Sequence, residues 1–215
     1  MVLSEYLPQP DGKWKWHIIQ FLLPPTITAP VDDPDDEPEE VDPKKDVDYT
    51  AQCLRHYFDS ILRPNHRKID LFSDGGVADF KNSKFETFLL DYQTETNEQR
   101  HRKLEIDHNV FAPEEGYGIC DTGHSTGVKV LKTYILENGL IIDDPQKVQN
   151  VINDIKNHTA LVLEPSTSVD DVATFKGIKK CFKFTFDSDT QEVVGHPNSK
   201  VNDAELCMRW EPVRK

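Results

Sequence analysis

The chain has 215 residues, 37% of them hydrophobic and 29% charged, and a formal net charge of -13. That length suits one domain of about 150–200 ordered residues with appendages, and no apolar run approaches the roughly 18–20 residues a membrane helix requires. The amino terminus, Met1-Val2-Leu3-Ser4-Glu5-Tyr6, lacks the basic and apolar blocks of a signal peptide, so the expectation is neither an integral membrane protein nor a secreted precursor.

In chain order, residues 13–23 begin with alternation and become almost wholly apolar, predicting a strand after the turn signal Gln9-Pro10-Asp11-Gly12. Trp14 and Trp16 fall on one face of it, expected against the sheet. Between Asp32 and Asp48 stand ten carboxylates and two lysines, broken by prolines. Residues 31–48 are therefore expected to form a disordered, self-repelling insertion, with a protein partner as its only specific use. Residues 48–62 carry apolar side chains at i, i+3, i+4 spacing, which predicts a helix with Asp48 as N-cap and Pro64 beyond its end.

A short strand over 67–72 follows, then Ser73-Asp74-Gly75-Gly76. A helix is predicted over 84–92, a polar loop over 93–103 and a strand over 104–111. Residues 121–136 are predicted to be helical in their second half at least, with Gly139 as C-cap signal, and a further helix is predicted over 146–157. Residues 177–186 read as a strand with Phe182, Phe184 and Phe186 on a core face, turning at 187–190 into a hairpin. The expected fold is α/β: amino-terminal strand or strands over 1–30, the insertion, a mixed sheet flanked by helices over 49–160, and a small β-hairpin appendage over 161–215. Cys53, Cys120, Cys181 and Cys207 form no Cys-x-x-Cys pair and fit buried thiols in a reducing compartment, nucleus or cytoplasm.

Two acids share a setting that bears on chemistry. Asp74 lies just past a predicted strand, and Asp121 at the mouth of a predicted helix. A carboxylate at a strand's C-terminal end faces the crevice where α/β sheets bind ligands, and several such carboxylates hold Mg²⁺ through hard oxygens. Each also has an ordinary structural reading: Asp-Gly is a common turn, and Asp a common N-cap. The histidines show no His-x-x-x-His pair, no Walker loop is present, and neither Ser73 nor Ser125 sits in a Gly-x-Ser-x-Gly elbow. Zinc enzymes, P-loop hydrolases and serine hydrolases are set aside.

The stretch Ser73-Asp74-Gly75-Gly76-Val77-Ala78-Asp79-Phe80-Lys81-Asn82, followed by Gly116-Tyr117-Gly118-Ile119-Cys120-Asp121 and Gly127-Val128-Lys129, resembles the ribonuclease H-like (DDE-type) catalytic domain of eukaryotic transposases and transposon-derived proteins. The likeness runs from about residue 47 to 135. It implies a ribonuclease H-like mixed sheet, Mg²⁺ or Mn²⁺ as cofactor, and DNA as partner in cleavage and strand transfer. It carries Asp74 over as the second acid and Asp121 as the third. Lys81, Asn82 and Lys129 match positions that contact nucleic acid or serve the structure. Glu115 and Tyr117 replace a histidine and a lysine of the family pattern, leaving Glu115 as a substitute acid. The first acid is not found: residues 14–23 contain no Asp or Glu, and only Glu5 and Asp11 flank them. Two functions follow, a metal-dependent nuclease or strand transferase and a catalytically inactive nucleic-acid- or protein-binding scaffold.

Overall fold

The computed structural model describes residues 1–8, 13–22, 27–28, 40–41, 47–62, 66–73, 80–99, 103–111, 119–138, 144–163, 169–197 and 207–214. In chain order the elements are β1 (Val2–Pro8), β2 (Trp14–Leu22), β3 (Ile27–Thr28), β4 (Glu40–Val41), α1 (Val47–His56), β5 (Lys68–Ser73), α2 (Ser83–Gln99), β6 (Glu105–Val110), α3 (Ile119–Asn138), α4 (Pro145–Asn153), β7 (His158–Val162), β8 (Lys183–Asp187), β9 (Glu192–His196) and β10 (Met208–Trp210). The chain is α/β and divides into two compact units, Met1–Lys44 with Tyr117–Ser166 and Lys45–Gly116 with Thr167–Lys215. No helix among the described residues is long and apolar enough to cross a membrane.

The first unit is built on a three-stranded sheet in the order β1-β2-β7, antiparallel between β1 and β2 and parallel between β2 and β7. The central strand is buried on both faces, which is why Ile18, Ile19 and Phe21 run together without strict alternation. Helix α3 lies on β1 and β2. A Cβ at Gly123 would come within 2.8 Å of the Ile18 side chain, and one at Gly127 within 2.8 Å of the Gln20 amide. Glycines four apart thus let the helix settle against the strand, and Gln20 Nε2 donates to the Gly123 carbonyl at 3.3 Å. Helix α4 starts as its sequence dictates. Asp144 accepts from the Gln146 backbone N–H at 2.8 Å, and Pro145 takes the first turn. It ends short of the predicted residue 157, because Asn157 adopts φ 65° and turns the chain into β7. Of the acidic insertion, Glu40–Val41 pairs antiparallel with Ile27–Thr28, and most of the rest lies outside the described residues.

The second unit carries a five-stranded mixed sheet in the order β10-β9-β8-β6-β5, parallel only between β5 and β6. The hairpin expected as an appendage is hydrogen-bonded into this sheet through β6 and β8, and β10 continues it. Helix α2 covers one face, with Phe85, Leu89 and Leu90 packed in a core that includes Ile106, Phe184 and Val193. This helix runs on to Gln99, through residues predicted as loop. The polar side chains that suggested a loop satisfy strand backbone instead. Gln93 accepts from Ile106 N at 2.7 Å and donates to Phe186 O at 2.8 Å, while Asn97 accepts from Leu104 N at 2.6 Å. Asp48 stands inside the first turn of α1 rather than capping it, binding Lys84 at 3.0 Å and the Val169 N–H at 2.6 Å. After α1 the chain makes a π-helical turn, Tyr57–Ile61. The strand predicted over 177–186 begins only at Lys183, since Gly177 at φ 85° opens a 3₁₀ turn over Ile178–Lys180.

The other face of that sheet bears charges. Asp107 on β6 binds Lys183 of β8 at 2.9 Å and Lys68 of β5 at 3.0 Å, a charge ladder across three strands. Burial works against ionisation there, but the two ammoniums prevail and hold the Asp107 carboxyl below the usual carboxylate range.

Two expectations follow. Gly123→Ala and Gly127→Ala should each destabilise the first unit by about 1–3 kcal/mol, since the side chains they meet are buried; urea unfolding monitored by far-UV circular dichroism measures this. Because the folded pKa of Asp107 is depressed, its stabilising contribution is present above the unfolded value, ordinarily near 3.9, and is lost as pH falls through the folded one. Asp107→Asn should therefore lower stability at neutral pH by about 1 kcal/mol, discounted for the exposure of Lys68, and narrow the gap to wild type below that range.

Candidate functional site

Strand β5 points Lys68, Asp70 and Phe72 outward in strict alternation and ends on buried Ser73, the residue immediately before Asp74. Ser73 is held on two sides. Its carbonyl accepts from Phe111 N at 2.9 Å, and its Oγ lies 2.8 Å from Nε2 of His108 on β6. His108 Nδ1 in turn meets the Glu86 carboxylate at 3.0 and 3.2 Å. Glu86 and His108 are both 0% exposed.

Glu86 reaches this position because Asn82 caps α2. The Asn82 Oδ1 accepts from Phe85 N at 2.9 Å, which sets the phase of the first turn and directs Phe85 and Glu86 inward. Phe85 meets the His108 ring edge-on at 5.3 Å, and Phe184 stacks on it at 5.8 Å. Burial pushes the Glu86 carboxyl up from its usual range, opposed by His108 and by Lys81. Lys81 is itself 5% exposed, its Nζ 4.2 Å from the centre of the Phe182 ring, and burial holds its ammonium below the usual lysine range against the pull of Cys181 and Glu86.

Serine, histidine and carboxylate stand in the order of a nucleophile, its base and the base's orienting acid. Ser73 is only 7% exposed, however. The network therefore positions the end of β5, and with it the start of the Ser-Asp-Gly segment.

The residues singled out from sequence are distributed as follows. Asp74 and Glu115 lie outside the described residues. Lys81 and Asn82 stand at the start of α2, one under an aromatic ring and the other capping the helix. Asp121 and Lys129 are exposed on α3 of the other unit. Asp121 occupies the first turn, where a carboxylate complements the helix dipole. Glu5 binds His17 at 3.0 Å, and Asp11 lies outside the described residues. Of the phenylalanine face, Phe184 and Phe186 are buried, while Phe182 is half-buried over Lys81. Exposed aspartate oxygens suit Mg²⁺ by hardness. Among the described residues, no group of three His, Cys, Asp or Glu side chains comes together to hold a metal ion.

Sequence reasoning missed Glu86 and His108, although both left a signal. His108 sits in the inward phase of Leu104, Ile106 and Val110, and Glu86 among Phe85, Phe88 and Leu89; each is a polar residue at an apolar position. Comparisons with protein families, with curated proteins and with solved structures find no match to this chain.

Glu86→Ala or His108→Ala should cost the second unit about 3–5 kcal/mol, because either leaves a buried ionisable partner uncompensated. The double variant should cost clearly less than the sum, and a double-mutant cycle by urea unfolding reads that coupling.

Proposed function

We propose that the chain is a ribonuclease H-like domain derived from a eukaryotic DNA transposase, its ancestral chemistry divalent-metal-dependent DNA cleavage and strand transfer in the nucleus. The observation that carries this is the setting of the Ser-Asp-Gly segment. It starts where β5 ends beside its parallel neighbour β6, with Ser73 fixed by the buried His108–Glu86 pair. The C-terminal end of a parallel strand is where α/β sheets present ligands, and Ser73 is held there by buried partners.

In this reading Asp74 and Asp121 are the metal-ligating acids, and Glu115 stands in for a missing partner. A bound Mg²⁺ or Mn²⁺ would supply charge stabilisation at the attacking and leaving oxygens of a phosphodiester. Lys129, exposed on α3, is available to a phosphate.

A second reading, a catalytically inactive DNA- or protein-binding scaffold, is favoured by the use made of Lys81 and Asn82. Both match motif positions, and both serve packing and capping. Metal binding separates the two, because a ligand that binds only the native state must stabilise it. On the first reading, millimolar Mn²⁺ raises the melting temperature of the wild type by several degrees, and Asp74→Asn and Asp121→Asn each abolish the shift. A wild type indifferent to Mg²⁺ and Mn²⁺ supports the scaffold.

A further inference from the structure

On the charged face of the second unit's sheet, Cys207 Sγ lies 3.1 Å from His196 Nδ1, and His196 Nε2 lies 3.1 Å from Thr185 Oγ1. Adjacent strands impose this array. His196 closes β9, Thr185 sits in the middle of β8, and Cys207 immediately precedes β10, whose Met208 pairs with Gly195. The three residues line one groove of about 480 Å³, together with Lys103, Asp107 and Arg209. That volume is in the range of small-molecule sites.

We propose that Cys207 and His196 form a nucleophilic thiol–imidazole pair, a covalent modification site for soft carbon electrophiles of the α,β-unsaturated carbonyl class. The other thiols show what the pair adds. Cys53 and Cys181 are buried, and burial pushes each thiol up to about 11. Cys120 is half-buried like Cys207, but the group beside its sulfur is the Ser4 hydroxyl at 3.3 Å, which is no base. Cys207 has an imidazole at hydrogen-bond distance, oriented by a third group, which is the constellation of an activated nucleophile.

The charged groups facing His196 are Lys183, Asp107 and Arg209. Burial, then Lys183 and Arg209, hold the imidazole below its ordinary pKa, against the opposing pull of Asp107, so at neutral pH the ring is uncharged. With the ring proton on Nε2 and donated to Thr185 Oγ1, Nδ1 is left to accept the thiol proton. In the reaction the S–H proton passes to Nδ1 and sulfur bonds to the β-carbon. The carbon–carbon π pair moves onto the α-carbon, and the imidazolium returns its proton there. The thioether adduct contains every atom of both reactants, and no oxidant or further reactant enters.

N-ethylmaleimide, an unsaturated carbonyl reagent, tests this on the full-length chain, with adducts assigned by peptide mass mapping across roughly pH 5 to 8. Cys207 should be labelled at least about tenfold faster than Cys120, well within what a general base contributes. Its rate should fall as pH drops through the depressed His196 pKa and be flat above it. His196→Gln should bring Cys207 down to the rate of Cys120 and replace the plateau with the steady rise of an unassisted thiol. Thr185→Val should slow labelling without changing which cysteine reacts. Equal or faster labelling of Cys120 in the wild type would overturn the proposal. So would a wild-type Cys207 rate that rises tenfold per pH unit throughout, a result that depends on no variant folding.

Discussion

Placing a carboxylate and an imidazole together in an apolar core is tolerable only when each answers the other, and in the second unit that condition fixes the relation of α2 to the sheet. Glu86 comes from the helix, His108 from the central part of the sheet and Ser73 from its edge strand, so one chain of hydrogen bonds ties three elements together. Sliding α2 by a single residue would turn Glu86 away and strand His108 without a partner. Apolar packing by Phe85, Leu89 and Leu90 would tolerate such a shift far better, because dispersion and burial are not directional. The pair thus contributes register as well as energy, as buried polar networks do when every member is satisfied.

The same helix extends this control along the sheet. Gln93, two turns beyond Glu86, bonds Ile106 N and Phe186 O, and Asn97, one turn further, bonds Leu104 N. These are strand groups near the end of the β6–β8 ladder, where the backbone would otherwise be buried without partners. Along this face α2 therefore presents Glu86, Gln93 and Asn97 toward the sheet among the apolar residues. Such a helix has a core-facing stripe of mixed polarity, and amphipathic periodicity underestimates its length.

That explains which parts of the fold were legible. Strands β2, β5 and β6 and helices α1, α3 and α4 follow from alternation or 3.6-residue spacing, with errors of a few residues where Asn157 or Gly177 takes a positive φ. The second half of α2 was hidden because Gln93, Thr96 and Asn97 look solvated in sequence and are buried or strand-bonded in the fold. Strand β7 follows α4 too closely for its five residues to show a period, and β10 is only three residues long. The joining of the hairpin to β6 was hidden for another reason: pairing between segments some 75 residues apart leaves no local mark. Of the site, only the end of β5 at Ser73 was readable; Asp74 itself lies outside the described residues. The Glu86–His108 anchor was not legible, because a pairing of two polar residues 22 positions apart, each in apolar phase, leaves no local motif.

Three histidines in this chain share one local design. His17 has Glu5 on Nδ1 and the Thr159 hydroxyl on Nε2; His108 has Glu86 and the Ser73 hydroxyl; His196 has Cys207 and the Thr185 hydroxyl. Each ring bridges neighbouring elements within its own unit, using the one side chain whose two nitrogens accept or donate in opposite directions. What differs is the group on Nδ1. A carboxylate there has no lower-energy use than to hold the ring, so His17 and His108 act as cross-braces. A thiol is a poor structural partner, because its hydrogen bond is weak, and a good nucleophile once its proton has somewhere to go. Exchanging carboxylate for thiol at the third bridge, which lines a groove, converts the same geometry from a brace into a reactive pair.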